Sequence, residues 1–251
     1  MQQAANHQEH ALKAILLLVL GMSFIPLNDA LIKVMSQRLP LAEIVAMRAV
    51  ISLAILVVFT NGLRSILALD SRTILLFVLR GMCLVAAMYL YFLALSSLPI
   101  STVVSIFFLS PLLITALSAL FLKEKIGSHR ITAVVLALLG VALIMRLGTS
   151  FFKLEMLLAL GSAVSYAIFQ VVTRRLKGAG DLPGLITIQH LCYLVSALPL
   201  LAYNLTGNWE ESGNQSVDFL LRQTVFPTFL ECAFFIVCAF AVLFLSFASS
   251  Y

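Results

Sequence analysis

Charged side chains are scarce in this sequence. Among 251 residues only 11% are Asp, Glu, Lys or Arg, whereas 62% are hydrophobic. A water-soluble domain carries about 25% charged residues, and its interior is too small to bury so much apolar surface. The scarcity of charge therefore excludes an ordinary soluble domain and indicates a protein embedded in a lipid bilayer.

Glycine and proline are also few, with 12 and 7 residues, so long runs of Leu, Ala, Val, Ile and Phe are rarely interrupted. The alternation of apolar and polar residues that marks a membrane β-barrel is absent. Backbone N–H and C=O groups in hydrocarbon must bond within the protein, which leaves helices as the spanning element. The sequence predicts an all-α polytopic membrane protein.

Recognisable catalytic and metal-binding motifs are missing as well. The four cysteines form no CxxC pair, no His/Cys cluster has metal-ligand spacing, and neither a P-loop nor a GxSxG motif occurs. We therefore expect no enzymatic activity, no metal and no cofactor. The formal charge of +5 comes from short clusters of Lys and Arg between apolar runs, which argues against nucleic acid as a partner.

What the sequence does contain is a series of apolar runs. A helix needs about 20 such residues to cross a bilayer, and this length predicts eight spans: Leu12–Ile32, Leu41–Thr60, Thr73–Leu95, Ser101–Leu122, Ile131–Met145, Leu154–Val172, Leu185–Leu205 and Val225–Phe247. Most connections are short, which makes consecutive spans antiparallel. Only the connection 206–224 is long and polar. Residues 1–11, which are not followed by a signal-peptide cleavage site, are predicted to be a cytoplasmic segment.

Lysine and arginine are distributed unevenly between the two sides of these spans. With the N-terminus in the cytoplasm, the inside segments hold Lys13, Arg64, Arg72, Lys123, Lys125, Arg130, Arg174, Arg175 and Lys177, and the outside segments hold Lys33, Arg38, Arg146, Lys153 and Arg222. Cytoplasmic loops carry the excess of positive charge. We therefore predict that the N-terminus is cytoplasmic.

Two pairs of similar segments indicate an internal repeat. Residues 30–39, at the end of span 1, resemble residues 167–176, at the end of span 6, and residues 91–97 in span 3 resemble residues 243–249 in span 8. The repeat unit is then five helices, and because five is odd the second copy enters the membrane from the opposite side. We expect a first unit at 12–146 and an incomplete second unit at 154–251, with eight of ten helices present.

Several segments resemble one transporter family. The segment RGMCLVAAMYLYFLALSSLP (Arg80–Pro99), Ser110-Pro111, Lys123–Ile126, Leu139-Gly140-Val141 and LALGSAVSYA (Leu158–Ala167) are similar to the EamA branch of the drug/metabolite transporter superfamily. The resemblance implies ten helices in two inverted units around a central cavity, and movement of small metabolites or drugs across the bacterial inner membrane. The partners are then a small solute and the lipid bilayer, with a homodimer left open. Loss of the last two helices would instead give a non-transporting fragment or scaffold.

Charged groups within the spans are the first candidates for function, because they are costly in lipid unless they face water or a partner. Asp29 and Lys33 lie four residues apart on span 1, beside Asn28, and could pair on one helix face. They are predicted either to contact the solute at the cavity mouth or to reach the outer headgroups.

Span 2 carries Glu43 about one turn deep and Arg48 about two turns deep, on different helix faces. An unpaired guanidinium at that depth needs an acidic or carbonyl partner, or an anionic solute. The resemblance also implies an Arg in this part of the second helix. Arg48 is predicted either to face the cavity or to clamp two helices, and Arg80 on span 3 is predicted to reach the inner headgroups.

The second half offers fewer ionisable groups. His190, next to Gln189, takes the position in span 7 that the repeat assigns to Arg48, and Glu231 is expected about two turns into span 8. Together with Asp29 these two residues are candidates for proton coupling, although a lone His is more often a structural hydrogen-bonding group. Further cavity-lining candidates are Tyr89, Tyr166 and Gln170, and Pro111 is predicted to kink span 4.

Overall fold

A computed structural model describes residues 25–60, 62–67, 69–122, 127–145, 152–176, 178, 180–207, 209 and 211–248. Within these ranges the regular elements are all helices. They are α1 (25–35), α2 (Leu41–Phe59), α3 (Gly62–Leu67), α4 (Ser71–Ser97), α5 (Ile100–Phe107), α6 (Ser110–Leu122), α7 (Ser128–Met145), α8 (Glu155–Arg175), α9 (Leu182–Asn204), α10 (Gln215–Leu221) and α11 (Phe229–Ala248). The predicted cytoplasmic segment 1–11, most of span 1 and the segment Lys123–Ile126 lie outside the described residues.

Five segments are long and apolar enough to cross a membrane: Leu41–Phe59, Ser71–Ser97, Ile100–Phe121, Glu155–Arg175 and Leu182–Asn204. Two further helices, Thr132–Met145 and Phe229–Phe240, are also apolar but shorter. The prediction of an all-helical polytopic membrane protein is therefore confirmed. The count of eight spans, the division into two units and the inverted repeat stay predictions.

The fourth predicted span is broken near its middle. Helix α5 ends at Phe107, a turn follows at Phe108 and Leu109, and α6 resumes at Ser110. Pro111 has no backbone N–H and therefore cannot close the helical bond to Phe107. The predicted kink at Pro111 is present, and its cause is the missing donor.

Two short helices were not predicted from the sequence. Helix α3 lies in the connection before α4, and α10 lies in the long connection 206–224. Asn214 caps α10 by accepting hydrogen bonds from the backbone N–H groups of Ser216 and Val217, at 3.0 and 3.4 Å. Elements of six and seven residues are too short to show a helical period, so they could not be predicted from hydropathy alone.

Helix α4 is the central element, and it packs against α8 and α9. Its 27 residues span about 40 Å. Small side chains let α8 approach closely: Ala159, Ser162 and Ala163 are fully buried, and the Ser162 hydroxyl donates to the Ala87 carbonyl at 2.8 Å. At Gly81 an added Cβ would lie 2.7 Å from the Cys192 sulfur on α9. Close packing of small residues is the usual way in which membrane helices associate.

Helix α2 forms the second half of the core. It packs along α9, and α11 lies against its other side. Helix α3 also packs on α9, where an added Cβ at Gly62 would overlap the Thr187 hydroxyl. The Ser65 hydroxyl, also on α3, donates to Asp181 at 2.5 Å, just before α9 begins. The chain therefore has an α1–α2 end, at residues 36–40, and an opposite α8–α9 end, at residues 176–181.

Apolar side chains also cover much of the outer surface. Helix α7 exposes Val135, Leu136, Leu138, Leu139 and Leu143, and α2 exposes Val57 and Val58. Contiguous apolar surface of this kind is costly in water and suits lipid tails. The exposed apolar side chains of α2 and α7 therefore mark surface that suits contact with lipid.

Candidate functional site

Arg48 lies in the middle of the bundle, on the face of α2 that is turned towards the other helices. Its side chain is half-buried. The guanidinium lies over the Phe92 ring, 5.5 Å from the ring centroid. It donates no hydrogen bond to any residue in the described part of the chain.

Besides Phe92, groups from three other helices lie near this guanidinium. Arg48 interacts electrostatically with Asp29 on α1, with His190 and Tyr193 on α9, and with Cys238 on α11. Arg48 and His190, which the predicted repeat assigns to equivalent positions, thus come together in the same place. We name this group, together with Tyr91 and Phe92 on α4, the central cluster.

Asp29 contributes the carboxylate of the central cluster and is only 3% exposed. It accepts a hydrogen bond of 2.7 Å from the Tyr91 hydroxyl and a longer one, 3.4 Å, from the Asn28 amide. The Asn28 side-chain oxygen is buried and has no donor among the described residues. Asp29 therefore faces α4, and Asn28 lies beside it.

Lys33 does not pair with Asp29, although the sequence spacing allowed it. Its ammonium donates to the backbone carbonyls of Leu95, Ser96 and Leu98, at 2.6, 2.7 and 3.0 Å. The last turn of a helix leaves such carbonyls without partners and carries a partial negative charge, so a half-buried lysine is well suited to cap it. An ammonium has three N–H donors, and all three donate to carbonyls at the end of α4.

Arg80 is placed differently from the prediction. Instead of extending to the headgroups it is 5% exposed, because α8 and α9 enclose it. It donates to the Thr173 hydroxyl at 2.7 Å and to the Gln189 side-chain oxygen at 3.3 Å, and it lies 4.3 Å from the Phe169 ring centroid. Neutral groups thus satisfy this second buried guanidinium.

A row of aromatic rings connects the two arginines. From Phe92 it continues through Tyr91, Phe107, Tyr166 and Phe169, with successive ring centroids 6.0, 5.2, 5.3 and 5.7 Å apart. These separations lie in the range of favourable ring contacts. The row begins under Arg48 and ends under Arg80, and its members come from α4, α5 and α8. We name it the aromatic row.

The remaining candidates surround these groups. Gln170 donates to the Tyr166 hydroxyl at 2.8 Å, and the Tyr89 hydroxyl lies 3.5 Å from the Ser196 hydroxyl. The His190 Nδ1 atom lies 2.9 Å from the Ile186 carbonyl, which orients the ring, and the ring contacts Tyr193 edge to face. Gln189 contacts Arg80 rather than Arg48.

Glu43 and Glu231 lie away from this region, at the α1–α2 end. Glu231 is in the first turn of α11 instead of two turns deep, because the helix begins at Phe229. It forms an ion pair of 2.8 Å with Arg38. Glu43 accepts from the Val225 N–H at 3.3 Å. Both carboxylates therefore connect the α1–α2 turn to the extended segment 222–228.

The same end is held by a further cation. Arg222 donates to the carbonyls of Ser36 and Gln37, at 3.3 and 2.5 Å. Together with Lys33, Arg38, Glu43 and Glu231 this arginine forms what we name the α1–α2 cluster. Its charged groups are engaged with backbone or with one another.

Sequence reasoning missed much of the site. Phe92, Phe107, Phe169, Thr173 and Tyr193 were not among the candidates, because single aromatic residues in apolar runs give no signal of their position. Tyr91 and Phe92 both lie in the family-like segment Arg80–Pro99, but neither was singled out as a site residue. Among the described residues, no group of three or more His, Cys, Asp or Glu could hold a metal ion.

The fold and the site together define a class: a polytopic helical membrane protein with buried cations and an aromatic row at its centre. A sequence profile of the EamA-like transporter family matches residues 12–146, more than half of the chain. The chain belongs to this family, which confirms the resemblance. Family membership makes it a membrane protein of the transporter or permease class that handles small solutes. No curated protein and no solved structure matches the chain significantly.

Proposed function

We propose that this chain is a permease that moves a small organic solute across the membrane by alternating access, with the solute bound at the central cluster. The observation that carries the proposal is Arg48, a half-buried guanidinium in the middle of the bundle that donates to no described residue. A charged donor in lipid without an acceptor is costly, and it is retained where a ligand or water supplies the acceptor.

Helix contacts support an inverted repeat around this site. If α1, α2 and α4 correspond to α8, α9 and α11, a two-fold axis exchanges the α4–α9 contact with the α11–α2 contact. Both contacts occur, as does the α2–α9 contact, which the axis maps onto itself. Arg48 and His190 then lie on either side of the axis. A binding site between two repeats is the arrangement that alternating access requires.

The distribution of charge supports an orientation. Arg64 on α3, Arg72 at the start of α4, and Arg174 and Arg175 at the end of α8 belong to the α8–α9 end, which the contact between Ser65 and Asp181 holds together. The positive-inside rule then puts this end and the N-terminus in the cytoplasm. For a bacterial member of the family the membrane is the inner one.

The two ends differ in how they are closed. At the α1–α2 end the ion pair of Arg38 with Glu231 and the bonds from Arg222 to the α1–α2 turn connect helices α1, α2 and α11. Exposed ion pairs of this kind are weak enough to break and re-form during a transport cycle. We propose that opening of this end breaks them. Of the three proton-coupling candidates, Asp29 and His190 lie in the central cluster, and Glu231 lies in this closure.

A counterflow experiment tests the proposal. The purified chain is reconstituted into liposomes, and a panel of radiolabelled amino acids, nucleosides, sugars and organic acids is offered with the same unlabelled solute inside. We expect uptake of at least one solute above empty liposomes, a fall to background for Arg48→Gln, and normal uptake for the control Arg64→Gln, whose side chain is exposed. Background uptake for every solute would favour a non-transporting scaffold.

A further inference from the structure

We infer that the central site selects an organic anion with a flat, preferably aromatic, body: the carboxylate or phosphate oxygens accept from Arg48, and the body packs along the aromatic row. This inference rests on the proposed function, because it names the ligand class of the same site. Three features carry it: the balance of buried charge, the partners of the second guanidinium and the position of the rings.

The balance of buried charge is positive. Of the carboxylates in the long helices, Glu231 pairs with Arg38, Glu43 accepts from Val225, and Glu155 accepts from Asn214 in the first turn of α8. Asp29 is thus the one carboxylate of the described helices near the middle of the bundle. The sequence segments 13–24 and 244–251 contain no acidic residue. Among the described residues, Asp29 is therefore the one carboxylate that interacts with Arg48.

Asp29 cannot balance both arginines. It is already bonded to the Tyr91 hydroxyl and to Asn28, and the one cation with which it interacts is Arg48. Arg80 interacts with a hydroxyl, an amide and a ring, all of which are neutral. Counted over the described residues alone, Arg48, Arg80 and Asp29 leave an excess of one positive charge in the middle of the bundle. A bound monoanion would neutralise that excess, whereas a bound cation would double it.

The geometry of Arg48 favours an oxyanion over a halide. A guanidinium presents five donors in a planar fork that matches two oxygens of a carboxylate or phosphate. The guanidinium carbon lies 5.5 Å from the Phe92 ring centroid, and none of the Arg48 N–H groups donates to a described residue. Arg48 therefore offers two parallel hydrogen bonds to the head of the solute.

The aromatic row supplies the rest of the site. Phe107 and Tyr166 are partly accessible, whereas Phe92, Tyr91 and Phe169 are nearly buried. The accessible pair lies midway between the arginines, with ring centroids 5.3 Å apart. A planar ring attached to an anionic head at Arg48 would extend towards these two residues and gain stacking energy there.

The test is equilibrium binding to the purified chain in detergent with radiolabelled phenylacetate as probe. Competitors are its neutral amide (phenylacetamide), its cationic analogue (phenethylamine), plain acetate and phenyl phosphate. We expect phenylacetate to bind at least about 10-fold more tightly than phenylacetamide and acetate, and phenethylamine to bind most weakly. Phenyl phosphate distinguishes the two oxyanions, since the head that binds more tightly identifies the natural one.

Variants identify the groups responsible. Arg48→Gln should abolish the preference for acid over amide, Arg48→Lys should keep part of it, and Arg64→Gln should leave it unchanged. Size-exclusion profiles show that each variant is folded. The inference is overturned if phenethylamine binds best, if phenylacetate does not bind at millimolar concentration, or if Arg48→Gln keeps the preference for the acid.

Binding and flux separate the two proposals. Preferred binding of the acid without counterflow of any solute would overturn the proposed transport and leave the ligand class standing. Counterflow of amines in preference to acids would support transport and overturn the ligand class. If acetate binds as tightly as phenylacetate, the role of the aromatic row is wrong.

Discussion

The α1–α2 cluster and the central cluster both contain charged side chains, but they use them in opposite ways. At the α1–α2 end, Lys33, Arg38 and Arg222 donate to backbone carbonyls or to a carboxylate. At the centre, Arg48 rests on a ring and donates to no described residue. A charge with satisfied donors stabilises the fold, whereas a charge with free donors is available to a ligand. The comparison separates residues that hold the bundle together from residues that we propose bind the solute.

The largest effect on stability is expected at Lys33. Replacing it by Met leaves three carbonyls at the end of α4 without a donor, and it should lower the free energy of unfolding by about 3 kcal/mol. Thermal unfolding in detergent measures the change. The exposed Lys153→Met is the matched control and should be neutral. An unchanged melting temperature for Lys33→Met would mean that the α1–α2 cluster does not hold the bundle together.

The second prediction concerns the packing beneath the central cluster. Gly81→Ala would place a methyl group against the Cys192 sulfur, so we expect a loss of about 2 kcal/mol from overpacking. Adding Cys192→Ala removes the sulfur and should restore part of the loss. Gly140→Ala on α7, where an added Cβ meets nothing within 4 Å, is the control. Equal behaviour of both glycine variants would contradict the close approach of α4 and α9.

The division between these regions was only partly predictable from the sequence. The depth of Arg48 in its span was readable, because hydropathy fixes the helix and the rise per residue fixes the depth. The role of Arg80 was not, because a long side chain two turns from the membrane surface can either reach the headgroups or turn inward. Thr173, Gln189 and Phe169 make it turn inward, and their nearness depends on how α8 and α9 pack.

Lys33 teaches the same lesson within the α1–α2 cluster. Its spacing from Asp29 allowed an ion pair within the helix. The Lys33 ammonium instead donates to three carbonyls at the end of α4 that have no other donor among the described residues. The sequence locates the end of α4 and cannot tell which side chain from another helix will cap it. The kink at Pro111 was predictable, because the missing N–H is a property of the residue alone.

The third prediction uses Asp218, which lies in the connection before α11. Burial raises the pKa of this carboxyl, but hydrogen bonds from the Ser212 N–H and hydroxyl, at 2.8 and 2.9 Å, and from Trp209, at 3.3 Å, outweigh it. The net effect lowers the pKa of Asp218 below its ordinary value of 3.8. The stabilisation is therefore fully present above that value and is lost as pH falls through the lowered pKa.

Trp209 makes this loss measurable, because it is the single tryptophan of the chain. Its fluorescence should change with a midpoint below pH 3.8, and Asp218→Asn should abolish the transition and lower stability by about 1 kcal/mol. Glu211→Gln, at an exposed neighbouring position, should keep the transition. A midpoint above 3.8 would show that burial dominates the pKa of Asp218.

The smallest effect is expected from the ion pair of Arg38 and Glu231. The Arg38 side chain is 45% exposed, so solvent screens the attraction. A double-mutant cycle with Arg38→Gln and Glu231→Gln should give a coupling energy of about 0.5 kcal/mol or less in thermal unfolding. A coupling above about 2 kcal/mol would make this pair a permanent clamp and contradict its proposed opening during transport.

The proposed division between residues that stabilise the bundle and residues that bind the solute is tested most directly by two measurements. Melting temperature and counterflow are measured on the same preparations of Arg48→Gln and Lys33→Met. We predict that Arg48→Gln keeps the melting temperature of the unmodified chain and loses uptake, whereas Lys33→Met melts well below it. An Arg48→Gln variant that melts as low as Lys33→Met, or that transports normally, would contradict the account.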